Sequence, residues 1–229
     1  MSRKTRGKKA YAAKRYRRRS LVATTLAVLV LALVAATFLY ESDDTQHTQA
    51  VAAARHAALA SEHSPALGDP GAKVHIVEFL DPACETCALF FPMVKRWLAE
   101  APGEIHLSVR HVAFHPGSDY AVRILEASRK QDKYWQTLEA LLGSQRQWVQ
   151  NHTVQPDRIG PAIARVGLNM EQLTADMNTM QVMQRIEQDK KDSIYLKVNA
   201  TPEYFVNGRP LPSFGQQQLA DLVREELRK

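Results

Sequence analysis

The chain has very little cysteine, two residues in 229. That excludes a miniature fold stapled by several disulfides. It also excludes a four-cysteine zinc ribbon or an all-cysteine iron–sulfur site within one chain. A phosphate-binding glycine loop is lacking, and so is any internal repeat. Beyond the first 20 residues there is no excess of positive charge either, in spite of a net charge of +6. Residues 1–20 hold ten of the 30 Lys and Arg and no acid, so the remaining 20 stand against 24 Asp and Glu and the body carries −4. The basic balance belongs to a short tail, which removes the charge argument for a nucleic-acid-binding body. A hydrophobic fraction of 45% speaks against wholesale disorder.

What is present begins with that tail, residues 1–20. Directly behind it, Leu21 to Tyr40 gives 20 residues without a charge. As a helix this run would be about 30 Å long, the thickness of a bilayer's hydrocarbon core. Glu41, Asp43 and Asp44 follow it. The positive-inside rule then places the tail in the cytoplasm and residues 41–229 outside. A cleaved signal peptide would have a shorter apolar region, about 7–15 residues, and Val34-Ala35-Ala36 is a poor cleavage site. The expectation is a signal anchor over residues 21–40, single-pass in a bacterial cytoplasmic membrane, with the lipid bilayer as one partner. Residues 41–67 read as a stalk whose alanine-rich middle, Thr48 to Ser61, favours helix. Ser64-Pro65 and Gly68-Asp69-Pro70-Gly71 stop it.

From Lys73 the pattern changes. Val74, Ile76, Phe79 and Leu80 lie in a β-prone run broken by Asp81-Pro82. Cys84-Glu85-Thr86-Cys87 follows, and then an apolar helix face from Ala88 through Trp97-Leu98. This order puts Cys84 at the amino end of a helix just after a strand. Unpaired N–H groups and the positive dipole end there favour thiolate, the reactive form of cysteine. A second sulfur about one turn later lies within bonding reach. Such a pair can exchange with a substrate thiol or disulfide through a mixed disulfide, which Cys87 resolves. A purely structural disulfide closing so small a loop gains little entropy. A metal site is short of ligands: His106, His111 and His115 sit on a presumed strand and turn at a spacing that does not put all three on one face. No metal and no cofactor other than the Cys84–Cys87 redox disulfide is expected.

Several companions sharpen the motif. Pro92 falls inside the helix, where it should kink it. Glu78 lies six residues before Cys84 on the strand, with Phe79 on the opposite face. A carboxyl beneath a redox pair can accept or deliver a proton, while an edge-strand Glu would simply face water. Far downstream, Thr201-Pro202 opens a strand that ends in an Asn207-Gly208 hairpin turn.

The order of a Glu78-bearing strand, Cys84-x-x-Cys87, Pro92 and a distant Thr201-Pro202 with Phe205-Val206-Asn207-Gly208 resembles the thioredoxin superfamily. Within it, Phe79-Leu80-Asp81-Pro82 and Val109-Arg110-His111-Val112-Ala113-Phe114-His115 resemble the DsbA-like thiol–disulfide oxidoreductases. The resemblance covers residues 68–229. It implies an α/β thioredoxin fold, Cys84 as nucleophile, Cys87 as resolving thiol and Glu78 as the buried acid. It further implies a cis-proline at Pro202, and at Thr201 a backbone that pairs with an extended substrate. Where well-known oxidases of the group carry Pro-His between the cysteines, this chain has Glu85-Thr86. A glutamate there should repel the Cys84 thiolate, so the expectation is a weaker oxidant.

The stretch between the motifs is too long for a bare thioredoxin core. Residues 118–196 read as a helical insertion throughout, with Gly143, Pro156, Gly167 and Asn169 as punctuation. Met177, Met180, Met183 and Ile186 fall at helical spacing and read as core. Three functions fit these residues. The first is oxidative disulfide formation in cysteine-containing proteins on the periplasmic or extracytoplasmic side, reset by a membrane redox partner. The second is a reductase or isomerase kept reduced by a membrane electron donor. The third is a tethered peptide-binding or holdase module without turnover.

Overall fold

In the computed structural model of the chain, which describes residues 49–59 and 61–229, the sheet is organised around one fully covered strand. This strand is β2 (Val74–Leu80), and six of its seven residues are buried. It runs parallel to β3 (Ile105–His111) on one side and antiparallel to β6 (Glu203–Val206) on the other. A short β1 (Ala66–Leu67) borders β3 and β7 (Arg209–Pro210) borders β6, giving the order β1-β3-β2-β6-β7. A strand buried on both faces reads as a near-continuous apolar run, which is what Val-His-Ile-Val-Glu-Phe-Leu is, apart from His75 and Glu78.

The two faces of the sheet bury different partners. Because side chains alternate along a strand, Ile76, Glu78 and Leu80 share one face while Val77 and Phe79 share the other. On the first face lies α2 (Glu85–Glu100), the crossover from β2 to β3, which continues through Pro92. The last helix, α9 (Gln216–Arg228), adds Leu219, Leu222 and Val223 to the same core. On the second face Val77, Phe79 and Phe205 pack with Leu196, Val198 and two residues of α1 (residues 49–59), Ala58 and Leu59. Residues 54–229 form one unit. The stalk expected over residues 41–67 is therefore corrected at its far end: Ala58 and Leu59 are core, and Ala66–Leu67 is a strand. A short apolar segment beside an open sheet face gains more from burial than from serving as a spacer.

Between β3 and β6 stand α3 (Ser118–Ser128), α4 (Tyr134–Gly143), α5 (Gln145–Trp148), α6 (Pro156–Ile163), α7 (Met170–Asp176) and α8 (Met180–Tyr195). Asn169 caps α7, its side chain accepting from Gln172 N at 3.0 Å. The insertion is not helical throughout, however. Val149–Gln150 and Thr153–Val154 pair as a two-stranded hairpin, β4 and β5, where β-branched residues flank an Asn151-His152 turn. Nor do the methionines form one core stripe. The helix breaks between Asp176 and Met180. Met177 is buried, but Met180 is 73% exposed and Met183 46%. Below them, Arg110 of β3 is fully buried against Asp189 (2.7 Å) and Asp192 (2.5 Å) of α8 and also reaches the Ala58 carbonyl. This places α8 over the second face of the sheet.

The basic tail and the span expected over residues 21–40 lie outside the described residues. Among the described residues no helix is long and apolar enough to cross a membrane.

Candidate active site

The two cysteines sit where strand β2 gives way to helix α2. Cys84 is the N-cap residue, with extended backbone (φ −78°, ψ 119°), and Cys87 lies in the first turn. Asp81, which the sequence offers only as a breaker, builds the turn between them and the strand. Its Oδ1 accepts from Ala83 N at 2.8 Å and from the Ser118 hydroxyl, and its Oδ2 accepts from Phe114 N at 2.8 Å and His115 N at 2.9 Å. The insertion holds the other side, where Gln145 Nε2 donates to Pro82 O (2.8 Å) and Cys84 O (3.0 Å). The Asp81 bond to the N–H two residues on is a signal the sequence does carry, an Asx turn. Gln145 carries none, because only the packing of α5 brings it there.

Thr201-Pro202 is 117 residues further along than Cys84, and the sheet closes that gap. Because β6 pairs beside β2, the cis peptide bond Thr201-Pro202 that precedes it faces the helix start. The Cys84 thiol donates to the Thr201 carbonyl at 3.3 Å. Both cysteines are free thiols, Cys84 nearly buried and Cys87 wholly so.

Their protons are held unequally. A hydrogen bond from the Cys87 thiol, helped by the Thr201 side chain and the backbone N–H groups of Cys87 and Thr86, outweighs burial and lowers the Cys84 pKa to about 5. Burial first, then the bond to Cys84 and the nearby Glu78 carboxylate, push Cys87 well above the usual thiol range. Glu78 is fully buried on the central strand, so it is no edge residue facing water. Burial raises its pKa to about 8, opposed by a hydrogen bond from the Tyr204 hydroxyl at 2.9 Å and reinforced by the Cys84 charge. Its Oε2 has no hydrogen-bond partner among the described residues. One sulfur poised as thiolate, one held as thiol and a carboxyl titrating near neutral pH are the groups that thiol exchange with proton transfer uses.

Glu85 and Thr86 stand between the cysteines, and the Glu85 carboxylate is paired away from the sulfur. The Glu85 Oε1 lies 3.1 Å from His152 Nδ1 on the β4–β5 turn, and Thr86 contributes through its backbone N–H. The three histidines weighed as ligands go to three places. His106 packs against His75, with ring centroids 4.9 Å apart. His111 takes the Tyr134 hydroxyl at 3.0 Å, and His115 bonds Asp81 Oδ2 at 2.8 Å. Beside the helix start an open groove of about 520 Å³ is lined by Glu85, Leu89, Gln145 and Arg146 among others. Leu89 on α2 and Phe114 in the segment after β3 are large exposed apolar side chains.

Comparison with known proteins agrees with this architecture. The chain is 26% identical over 173 residues to disulfide bond formation protein D of Bacillus subtilis, a match covering 72% of this chain and 77% of that protein. It is also 27% identical over 162 residues to a Na(+)/H(+) antiporter NhaA of Herminiimonas arsenicoxydans, covering 71% of this chain. It spans only 25% of that antiporter's length. Among solved structures, a thioredoxin-like oxidoreductase from Silicibacter pomeroyi superposes with a TM-score of 0.65 at 29% identity, over 76% of this chain and 98% of that one. BdbD of Bacillus subtilis in its oxidised form gives 0.64 at 25% identity, over 73% and 95%. The thioredoxin family itself matches residues 60–224, most of the chain, and to that family the chain belongs.

Proposed function

We propose that the chain exchanges disulfides with cysteine-containing proteins through Cys84 and Cys87, in the oxidising direction. A substrate thiolate attacks Cys84 of the Cys84–Cys87 disulfide. A substrate–Cys84 bond forms and the bond to Cys87 breaks, leaving a Cys87 thiolate that takes up a proton. A second substrate thiolate then attacks the first substrate sulfur, forming the substrate disulfide and expelling Cys84 as thiolate. Two electrons pass from substrate to the pair. Of the two substrate thiol protons, one ends on Cys87 and one in solvent. Glu78, holding its proton up to about pH 8, is the group that hands a proton to Cys87 and regains one from solvent, which first received both substrate protons. The Thr201 backbone positions an extended substrate segment against Cys84, and Leu89 and Phe114 offer it an apolar rim.

The observation that carries this reading is the Cys84 sulfur, acidified to about pH 5 and 3.3 Å from the Thr201 carbonyl. A stabilised thiolate favours the dithiol form and makes Cys84 the better leaving group, and both support oxidation of substrates. The charge pattern of residues 1–44 supports a setting outside the cytoplasmic membrane, tethered through residues 21–40 and reset by a membrane redox partner.

The test uses the full chain, oxidised, with a reduced peptide bearing two cysteines. Peptide disulfide should form with wild type and not with Cys84→Ser, while Cys87→Ser, given the peptide in its disulfide form, should accumulate a mixed disulfide through Cys84 on a non-reducing gel. Undiminished turnover by Cys84→Ser would refute the proposal. A pair found mostly as dithiol in the cell would reverse the direction to reduction.

A further inference from the structure

Apart from the sulfurs, three side chains from separate elements meet at the mouth of this site. They are Glu85 from the start of α2, His115 from the segment after β3 and His152 from the β4–β5 turn. One ligand atom of each lies within 4.8 Å of the other two. We propose that these three bind one divalent transition-metal ion of the zinc class, with solvent completing the coordination. The inference is independent of the exchange reading, since none of its ligands is a sulfur.

Two imidazoles and one carboxylate are a donor set that suits zinc and its neighbours and not the hard ions magnesium and calcium. His115 is arranged as a ligating histidine usually is. Asp81 Oδ2 already accepts two backbone N–H bonds, so Nδ1 of His115 is the donor in the 2.8 Å contact, and Nε2 carries the lone pair. His152 is the second independent sign. The turn residues Asn151 (φ 49°) and His152 (φ 58°) are both left-handed, and glycine is the favoured residue at the second position. A histidine stands there instead, its Nδ1 3.1 Å from Glu85. Around zinc the ligand atoms would be roughly 3.3 Å apart, so the cluster must contract. His152 and Glu85 have side chains 73% and 55% exposed and can swing inward while Asp81 holds His115. An ion here would set a double positive charge against the Glu85 carboxylate, on the residue next to Cys84.

The experiment uses the full chain carrying Cys84→Ser and Cys87→Ser, so that thiolates cannot compete for the ion. Zn²⁺ affinity is measured against a chromophoric chelator, with Ca²⁺ and Mg²⁺ as competitors. One-to-one binding is expected, unaffected by Ca²⁺ or Mg²⁺ at equal concentration. It should weaken at least tenfold, an order-of-magnitude expectation for losing a ligand, in both His152→Gly and Glu85→Gln. His152→Gly suits the left-handed turn, and matched circular dichroism checks the fold of both variants. Affinity unchanged in either variant, or no one-to-one binding in the parent chain, overturns the proposal.

Discussion

The unequal hold on the two thiol protons makes the reduction potential a quantitative test when pH is the perturbation. Below about pH 5 the dithiol form carries a proton on each sulfur, so two protons accompany two electrons and the potential should fall by about 59 mV per pH unit. Above that value Cys84 is a thiolate while Cys87, pushed far up by burial, keeps its proton. One proton then accompanies two electrons, and the slope should halve to about 30 mV per pH unit. Relative to an ordinary thiol, acidification to about 5 favours the dithiol at pH 7 by up to about two decades, or roughly 60 mV. The site opens to solvent, and screening there reduces that to roughly 30–60 mV. Protein-film voltammetry, or long glutathione equilibrations of the full chain from about pH 4 to about pH 9, would read the break. A slope holding near 59 mV through about pH 7 would show two ordinary thiols and refute the argument from helix start and hydrogen bonds. Glu78 should add a weaker inflection near pH 8 that Glu78→Gln removes.

Glu78 also makes a stability prediction. Its folded pKa is raised, so its contribution is fully present below its ordinary value of 4.5 and is lost as pH rises through about 8. Denaturant titrations of the dithiol form should show Glu78→Gln gaining on wild type across that window by about 3–5 kcal/mol; a pH-independent gap would refute the assignment. Arg110→Ala leaves the buried Asp189 and the Ala58 carbonyl without their guanidinium and should cost about 3–5 kcal/mol, measured by chemical denaturation. Gln145→Ala strips the donor from the Pro82 and Cys84 carbonyls and should cost about 1–3 kcal/mol. It should also speed hydrogen exchange in the turn before α2, and unchanged exchange there would count against Gln145 as a clamp. Trp148→Ala empties a fully buried position and breaks the indole bond to Leu141 O, for a loss of about 3–5 kcal/mol in the same assay.

What the sequence by itself determined is local. Strand-then-helix patterning around Cys84-x-x-Cys87 placed one sulfur at a helix start, because hydrophobic periodicity and a breaker residue are properties of neighbouring positions. Asn207-Gly208 likewise specified its own turn, and Asn169 its own cap. Where the sequence misled, a distant partner decided. Met180 and Met183 have helical spacing, but the chain breaks before them and α8 buries Val182, Asp189 and Ser193 instead. Ala58 and Leu59 look like spacer until the second face of the sheet needs cover.

Only the tertiary structure decided the chemistry of the site. The 3.3 Å approach of Cys84 to Thr201 exists because β6 lies beside β2, which no spacing along the chain encodes. Glu78 could be read from sequence as an acid on a strand, but whether that strand lay at the edge or the centre set its proton affinity, since desolvation depends on everything packed around it. Glu85 shows the same limit. Its charge beside Cys84 was legible, but its pairing with His152 depended on a hairpin whose fold brought two distant residues to one point.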